Sequence, residues 1–486
     1  MTIIADPEVD PKFGTGIMKV TPAHDMHDFE LGKRYNLPVT PIIGFNGRMD
    51  FSWFLEKKNI DSKYRERAEK YHGKKVAQAR ALMVEDLQAD GLLVKTDEKY
   101  THRIGVCYKC GTVIEPLPLT QWYIKVQPLA TRAIDTIKKG KIQFVPTRFK
   151  KHALSWLTNF HDWNISRQIV WGIRIPAWHC ALCDKWTVTD GSVPTACSAC
   201  GSTKIEQDTD TFDTWFSSGQ WPFATLQSAK PGDFDHFYPT SVMETGYDIL
   251  PWWVCRMIML GLYATDNIPF QTVYLHGLVR DAKGQKMSKS KGNVINPLEM
   301  VDKYGADALR IALIFGTTAG NDMSLSEEKI RGMRNFANKV WNIARFILIE
   351  FTTVNDVSTI PKFSQKLPKM TAADKKTIKA LNQLIHISTK GLDSYRLSDV
   401  AQSIYDFTWH SFADIYIEEA KIQIQKAKEA GDTKSIASTL SILRHTFATT
   451  ITLLHPFMPF LTEELWGKIP GVKEKPLIIS SWPKKL

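Results

Sequence analysis

Long amphipathic stretches dominate the chain after about residue 325, where glycine becomes sparse. Apolar residues recur there at helical spacing with polar residues between them, which is the pattern of helices that pack through one face. Pro361 and Pro368 separate the first stretch from the second and indicate a linker. The pattern predicts a bundle of four or five helices. The stretches run over residues 327–352, 372–392, 398–431 and 433–454.

Before residue 325 the pattern is mixed rather than helical. Three short apolar runs, at 141–145, 165–169 and 271–275, have the composition of strands, and polar or glycine-rich turns follow each run. Strands that alternate with helical segments are typical of α/β domains. The sequence therefore predicts an α/β domain over about 100–320.

The first hundred residues fall into two parts. Residues 1–50 consist of short apolar runs broken by turn residues, which predicts strands and hairpins with one helix around 27–35. Residues 56–92 have helical spacing and are rich in lysine, arginine and glutamate. We interpret the basic residues of this second part as a solvated helix face, and contact with RNA is the alternative.

Composition excludes several classes of protein. The share of apolar residues is 43% and that of charged residues is 23%, which is the balance of a folded globular chain and not of a disordered one. A length of 486 residues predicts three or four domains. Lysine and arginine number 62 against 51 aspartates and glutamates, and the resulting net charge of +11 favours polyanionic partners.

No apolar run reaches the roughly 20 residues that a membrane-spanning helix needs. The best candidate, residues 249–264, carries Arg256 in its middle and predicts a buried core helix. Acidic residues follow Met1 closely, which is not the pattern of a signal peptide. With seven cysteines and no export signal, we expect a cytoplasmic protein whose cysteine pairs bind metal rather than form disulfides.

Two cysteine pairs have the spacing of a structural zinc site. Each is a Cys-x-x-Cys knuckle, and a short polar segment separates the two. A knuckle places two sulfurs at neighbouring corners of a tetrahedron, so two knuckles complete a four-thiolate site of the ribbon type, here over about 177–206. Four thiolates leave no open position, so we expect the zinc to hold structure. The four ligands are Cys180, Cys183, Cys197 and Cys200.

A third knuckle, Cys107-x-x-Cys110, has no partner pair in the sequence. Three explanations stay open: the site uses other ligands, the partner pair lies on residues outside this chain, or the pair is a relic. Cys255 lies within the apolar run and is expected in the core.

A lysine-rich loop that begins at Lys286 supplies a candidate for phosphate chemistry. Three lysines and two serines on a loop can wrap a polyphosphate, and their charge matters most when negative charge moves onto a leaving pyrophosphate. The string Lys-Met-Ser-Lys-Ser at 286–290 resembles, at every position, the KMSKS signature of the class I aminoacyl-tRNA synthetases. Further segments resemble the valine, isoleucine and leucine group of that family. They lie at 162–168, 213–219, 245–249, 334–342 and 455–460.

This resemblance implies an α/β fold made of several parts. They are part of a Rossmann-like catalytic domain with a zinc ribbon, part of a β-rich editing domain, and a C-terminal α-helical anticodon-binding bundle. The implied limits are 1–100 for the editing part, 101–324 for the catalytic part, 325–470 for the helical domain and 471–486 for a tail. Within the group, the segment 13–28 is similar to the valine enzymes. Isoleucine and leucine ligases are the alternatives.

The resemblance also implies an activity and its residues. Valine enzymes attach valine to tRNA(Val) through valyl-adenylate, with ATP and Mg²⁺ as substrate. Trp215 and Trp253 match the walls of the amino-acid pocket, and Lys286 and Lys289 match the catalytic lysines. The implied contacts to ATP or adenylate are Glu244, Gly246, Asp248, His276 and Lys289. The residues implied in hydrolytic editing of threonyl-tRNA are Thr21, His24 and Asp28.

Part of the family pattern is missing from the sequence. The His-x-Gly-His string of the family is absent from the 13 histidines, and the first half of the nucleotide-binding fold has no counterpart. We therefore expect a C-terminal fragment or one half of a split enzyme, inactive alone, with a complementary N-terminal chain as a possible partner. The alternatives from other classes are a non-catalytic tRNA-binding module and a free-standing deacylase.

Overall fold

The computed structural model describes residues 3–107, 110–287, 292–353, 360, 367–472 and 475–485. The chain forms two compact units, Met1–Trp122 and Tyr123–Leu486. The division lies after the boundary expected at residue 100, and the segments on both sides of residue 325 belong to one unit. The limits of the functional domains stay predictions.

Helices account for the regular structure of the first unit. The carboxylate of Asp25 caps the first helix, because it accepts hydrogen bonds from the backbone amides of His27 and Asp28. Asn36 ends this helix in the left-handed conformation, which asparagine tolerates. The helix predicted around 27–35 is therefore confirmed. The helices are α1 (Met26–Tyr35), α2 (Ser52–Leu55), α3 (Ser62–Tyr71) and α4 (Val76–Ala89).

The β-rich character predicted for residues 1–50 is wrong for the part of this region that the structure describes. Residues 3–50 form α1 and isolated bridges, one of which joins Ile43 to Met49 across Asn46 and Gly47. Prolines recur between the short apolar runs, and each removes a backbone donor that a strand ladder needs. The runs are consequently too short to pair as strands.

The second unit begins with an α/β part that contains short strands and helices. Its strands are β1 (Tyr123–Ile124), β2 (Gln143–Val145), β3 (Trp163–Asn164), β4 (Ser166–Arg167), β5 (Ala177–Cys180), β6 (Trp186–Val188), β7 (Ile205–Gln207), β8 (Thr211–Phe212), β9 (Thr240–Gly246), β10 (Phe270–His276), β11 (Val279–Arg280) and β12 (Met323–Ser324). Its helices are α5 (Val126–Lys138), α6 (Arg148–Asn159), α7 (Thr214–Ser218), α8 (Trp221–Ser228), α9 (Asp233–Phe237), α10 (Cys255–Thr265), α11 (Pro297–Tyr304) and α12 (Ala306–Ile314).

A parallel sheet in the order β2–β10–β9 forms the centre of this part. The side chains of Val273 and Leu275 on β10 are fully buried, as is usual for a central parallel strand. A 3₁₀ turn (Tyr247–Ile249) and a π-helical segment (Leu250–Val254) lead from β9 into the buried helix α10. This confirms the core helix predicted over 249–264. Of the predicted strands, β2 and β10 are confirmed, whereas the run 165–169 forms only the two-residue strand β4.

The remainder of the second unit is a helical bundle. Helices α13 and α17 match the predicted stretches at both ends, and α17 is buried along most of its length. The predicted stretch 398–431 is interrupted by a π-helical segment (Phe407–Tyr416). Pro361 of the predicted linker lies outside the described residues. The helices are α13 (Glu327–Thr352), α14 (Ala372–Asp393), α15 (Leu397–Asp406), α16 (Ile417–Glu429), α17 (Thr433–Leu454), α18 (Pro459–Trp466) and a 3₁₀ turn (Leu477–Ile479).

The described helices include none that is both long and apolar enough to cross a membrane.

Candidate functional site

The carboxyl ends of β9 and β10 form one edge of the parallel sheet. His276 pairs in register with Gly246, so both strands end side by side. Ligands in open α/β sheets bind outside this edge. The imidazole Nε2 of His276 lies 3.1 Å from the carboxylate Oε1 of Glu244, and both side chains are about half exposed. A histidine and a carboxylate therefore meet at the position where such a fold binds its ligands.

Gly246 and Asp248 complete this group. A Cβ added at Gly246 would lie 2.7 Å from the Asp248 carboxylate and 3.6 Å from the His276 ring. A larger residue here would therefore displace the Asp248 carboxylate, whereas the distance to the His276 ring is an ordinary van der Waals contact. The structure thus brings together four of the residues predicted to contact ATP, namely Glu244, Gly246, Asp248 and His276.

The base of the lysine-rich loop is held by hydrogen bonds. Lys286 forms an antiparallel bridge with Arg280 on β11. The side-chain amide of Asn293 donates to the Asp281 carboxylate at 2.8 Å and to the Lys286 carbonyl at 3.3 Å. The hydrogen bond from Asn293, followed by the one from the Gln285 amide, lowers the pKa of Asp281. Both arms of the loop are therefore tied together, and Lys289 lies outside the described residues.

The aromatic residues predicted to line an amino-acid pocket lie on two elements in contact. Trp215 is on α7, and Trp253 is in the π-helical segment; both are partly buried. The indole N–H of Trp253 donates to the carbonyl of Ser218 at the end of α7, at 3.0 Å. The Trp253 ring also packs against Trp221, with 6.4 Å between ring centroids. One hydrogen bond thus joins Trp253 to the helix that carries Trp215.

The four cysteines of the predicted zinc site converge in the small sheet β6–β5–β7. Their sulfur atoms all lie within 4.8 Å of one another. The Sγ atoms of Cys180 and Cys200 are 3.6 Å apart, and so are those of Cys183 and Cys197. Backbone amides of residues 199 and 200 lower the pKa of Cys197 to about 6, whereas burial raises the pKa of Cys183 to about 12. This set of four soft donors fits zinc.

Comparison with protein families identifies the chain. The model of the tRNA synthetases class I (I, L, M and V) matches residues 55–326, and that of the anticodon-binding domain of tRNA ligases matches residues 374–486. The chain belongs to the class I tRNA synthetases. The first match begins in the first unit and extends over the α/β part, and the second covers the bundle from α14 onward.

Curated relatives of this synthetase chain are valine–tRNA ligases. The protein of Geobacter sulfurreducens is 43% identical over 486 residues, which cover 100% of this chain and 52% of that protein. The protein of Carboxydothermus hydrogenoformans is 43% identical over 483 residues, and that of Symbiobacterium thermophilum is 44% identical over 469 residues, which cover 49% of that protein. The chain spans about half the length of the curated relatives it matches.

Solved structures agree with the class I synthetase fold. The methionyl-tRNA synthetase of Mycobacterium tuberculosis in complex with methionyl-adenylate superposes with a TM-score of 0.56 at 16% identity. The superposition covers 74% of this chain and 65% of the methionyl-tRNA synthetase chain. The leucyl enzyme of Agrobacterium radiobacter in a ternary complex with tRNA gives a TM-score of 0.53 at 22% identity, covering 67% of this chain and 43% of that chain.

Asp28 and Thr21, two of the three residues predicted for editing, are bonded to each other in the first unit. The buried carboxylate of Asp28 accepts from the backbone amide of Thr21 at 2.6 Å and from its hydroxyl at 3.0 Å. Its position on α1 is set by the Asp25 cap. The pair is therefore a fixed acceptor site close to the start of a helix.

His24, the third predicted editing residue, has both ring nitrogens occupied by backbone groups. Its Nε2 accepts from the amides of Ile42 at 2.8 Å and Ile43 at 3.2 Å. Because Nε2 is an acceptor, the proton lies on Nδ1, which donates to the carbonyl of Pro116 at 2.8 Å. The imidazole therefore bridges three segments of the first unit.

The described residues on either side of the Cys107-x-x-Cys110 pair form the same two backbone hydrogen bonds as the two knuckles of the four-cysteine site. In each of the three, the backbone amide of the first cysteine donates to the carbonyl of the residue five positions later. The amide of the residue four positions later donates to the carbonyl of that first cysteine. The residue four positions on has a positive φ in every case: 69° at Gly111, 57° at Asp184 and 71° at Gly201. The paired distances are 2.8 and 2.8 Å at Cys107, 2.9 and 3.0 Å at Cys180, and 2.8 and 2.9 Å at Cys197.

A buried charge cluster behind α7 was not found by sequence reasoning. Asp213 lies at the start of α7 and Arg256 on α10, and the two form an ion pair at 3.6 Å. The available signal is an arginine within an otherwise apolar run, which predicts a buried core helix but does not indicate an ion pair. Sequence alone could not supply its partner, because 43 positions separate the two residues.

Proposed function

We propose that the protein to which this chain belongs is a valine–tRNA ligase. The observation that carries this proposal is the convergence of Glu244, Gly246, Asp248 and His276 at the carboxyl ends of β9 and β10. The loop base that carries Lys286 follows β10 along the chain, after β11. Valine–tRNA ligases at 43% identity over the whole chain support valine as the amino acid.

The proposed reaction has two steps. Valine and ATP, the latter bound with Mg²⁺, give valyl-adenylate and pyrophosphate, and the valyl group then moves to the terminal ribose of tRNA(Val). Carboxylates such as Glu244 and Asp248 accept hydrogen bonds well from ribose hydroxyls. Lys286 and Lys289 would act on the negative charge that develops on the pyrophosphate, where positive charge lowers the barrier most.

Trp215 and Trp253 are proposed as walls of the valine pocket. Two flat, rigid rings suit a small branched aliphatic side chain, because a larger one would clash with them. The hydrogen bond between the Trp253 indole and α7 supports this role, since it fixes one wall relative to the other.

An exposed face of α13 supports the proposed binding of tRNA. Its outward positions carry Arg334, Asn338, Trp341 and Arg345, which recur at the spacing of one helix face. The Trp341 side chain is 43% exposed. The sequence has no acidic residue between positions 329 and 349. Cations that meet phosphates and an aromatic ring on which a base can stack are the usual elements of an RNA contact.

Hydrolytic editing of threonyl-tRNA is proposed for the first unit. A hydrophobic pocket that binds valine cannot strongly reject threonine, which has a similar shape and carries a hydroxyl. The buried Asp28 carboxylate, held by Thr21, is the group proposed to bind the amino group of the misacylated amino acid. His24 is proposed to shape this site rather than to transfer protons, because both of its ring nitrogens bond to backbone.

A structural zinc ion is proposed for the four-cysteine site. Cys180, Cys183, Cys197 and Cys200 would hold it in a closed tetrahedron that stabilises the β6–β5–β7 sheet. Cys107 and Cys110 are proposed as half of a second site. Their shared knuckle geometry supports this, and the other two ligands would come from outside the described residues.

Exchange of labelled pyrophosphate into ATP tests the proposed function. The assay uses the protein purified from its source cells, so that any further residues or partner chain come with it. We expect exchange that depends on valine, and a loss of at least about a hundredfold in His276→Asn. His236→Asn, the same change on the exposed helix α9, should leave the rate unchanged.

Two results would contradict the proposal. Exchange that depends on isoleucine or leucine but not on valine would assign a different amino acid. Binding of tRNA without any exchange would instead identify a non-catalytic tRNA-binding module.

A further inference from the structure

Asp213 is the centre of a buried network behind the proposed valine pocket. Its carboxylate accepts a hydrogen bond from the indole N–H of Trp163 at 2.9 Å and forms an ion pair with Arg167 at 3.1 Å. Its side chain is 8% exposed. The backbone of Asp213 is fixed as well, because its amide donates to the carbonyl of Ile165 at 2.7 Å.

Arg256 extends this network into α10. Its Nη1 atom lies 3.6 Å from the Asp213 carboxylate, too far for a hydrogen bond. The guanidinium stacks on the Trp163 ring at 3.8 Å and lies 5.3 Å from the Trp252 ring. Burial lowers the pKa of Arg256 to about 10, and the charge of Asp213 opposes this shift. Burying a guanidinium whose Nη1 atom makes no hydrogen bond costs free energy, and the ion pair with Asp213 offsets only part of it.

The network touches both proposed walls of the pocket. The Asp213 carboxylate caps α7 by accepting from the amide of Trp215 at 3.3 Å. At the other end of α7, the carbonyl of Ser218 accepts from the Trp253 indole at 3.0 Å. Trp253 and Arg256 are three positions apart on a continuous stretch of helix. The ion pair therefore connects the start of α7 to the helix that carries the second wall.

We propose that Asp213 and Arg256 are positioning residues that fix the separation of Trp215 and Trp253 and thereby set the selectivity for the amino acid. This inference rests on the proposed function. A buried ion pair contributes little to stability compared with an apolar pair of the same volume, but it does impose one geometry. The gap between two rigid walls decides which side chain fits, so an error of about 1 Å in their separation costs binding.

The test compares three variants in valine-dependent pyrophosphate exchange by the complete native protein. Asp213→Asn keeps the shape and removes the charge, and Arg256→Lys keeps the charge and removes the planar fork. Asp266→Asn is the matched control, because Asp266 makes an exposed ion pair with Arg132 at the far end of α10. The measured quantities are the KM for valine, the KM for ATP and the ratio of kcat/KM for valine over isoleucine.

We expect both network variants to raise the KM for valine by at least about tenfold, with the KM for ATP changed by less than about twofold. The preference for valine over isoleucine should fall in parallel, whereas the control should match the wild type. A role in folding alone would lower thermal stability and leave the ratio of the two KM values unchanged. Unchanged KM for valine and unchanged selectivity would overturn the inference.

Two further outcomes are distinguishable. If Asp213→Asn does not fold, as shown by circular dichroism, Arg256→Lys decides alone: a raised KM for valine supports the inference, and an unchanged one overturns it. If the wild-type protein shows no amino-acid-dependent exchange, the proposed function fails first and this inference fails with it.

Discussion

Gly277 provides a sharp test of the geometry around the proposed ATP site. It follows His276 at the end of β10, where the chain passes the backbone of another segment. A Cβ added at Gly277 would lie 1.9 Å from the carbonyl oxygen of Asn321 and 2.4 Å from the amide nitrogen of Asp322. Both neighbours are backbone atoms, so no side-chain rotation can relieve the clash. Gly277→Ala must therefore move the two segments apart by about 1 Å or more.

The cost of this movement can be worked out from the hydrogen bonds that span the gap. The Asp322 carboxylate accepts from the amide of Leu278 at 2.8 Å. The amide of Met323 donates to the carbonyl of Leu278 at 3.0 Å, and that of Leu325 donates to the carbonyl of Arg280 at 2.9 Å. A neutral bond contributes about 1 kcal/mol, and one to a charged group contributes about 1.5–3 kcal/mol, so the loss of all three amounts to about 3.5–5 kcal/mol.

Urea unfolding followed by circular dichroism measures this change. Gly332→Ala is the matched control, because Gly332 lies on the exposed side of α13 and an added Cβ would meet nothing within 4 Å. In the interior of a helix, alanine is more stable than glycine by roughly 0.5–1 kcal/mol. The same substitution should thus destabilise the protein at one position and stabilise it at the other. A Gly277→Ala variant within about 1 kcal/mol of the wild type would refute the reasoning.

Three further outcomes are expected. Cys197→Ser should lose a tightly bound zinc ion that the purified wild type and Cys255→Ser retain, as measured by metal analysis after dialysis; retention by Cys197→Ser would contradict the site. Burial, followed by the charge of Arg444, lowers the pKa of His445 to about 4 from 6.5. The folded state favours the neutral ring, so the free energy of unfolding of the wild type should fall by roughly 3 kcal/mol more than that of His445→Gln as the pH is lowered from 6.5 to 4. Equal losses in the two proteins would contradict this. His24→Ala should speed hydrogen exchange at the Ile42 and Ile43 amides, and unchanged exchange would show that the imidazole does not hold them.

The sequence was most informative where one period or one spacing decides the structure. The ends of α13 and α17 match the predicted stretches, because a sustained apolar stripe leaves no other structure that buries it. The four cysteines converge as predicted, since two knuckles with this spacing can reach a common tetrahedron. Strand β10 follows from an apolar run bounded by turns. In all three cases the information is local.

The features that were missed depend on the tertiary structure. A π-helical hydrogen-bond pattern at Phe407–Tyr416 leaves no distinct period in a stretch that reads as one helix. The strands predicted for residues 1–50 failed because a strand needs a partner, and an apolar run does not reveal whether one is near. The role of His24 depends on Ile42 and Pro116, which lie 18 and 92 positions away.

A short segment connects the proposed ATP site to the helical bundle. The Asp322 carboxylate holds Leu278 and the Nε atom of Arg280, the latter at 2.5 Å. β12 then pairs with β11, and the hydroxyl of Ser326 caps α13 by accepting from the amide of Lys329 at 3.2 Å. The five consecutive positions 322–326 therefore hold β11, the strand that leads to Lys286, and also lead into α13. A shift of α13 cannot occur without either moving the base of the lysine-rich loop or breaking the β11–β12 ladder. This shared backbone and an apolar core that joins α12 to the bundle helices both connect the two parts of the second unit.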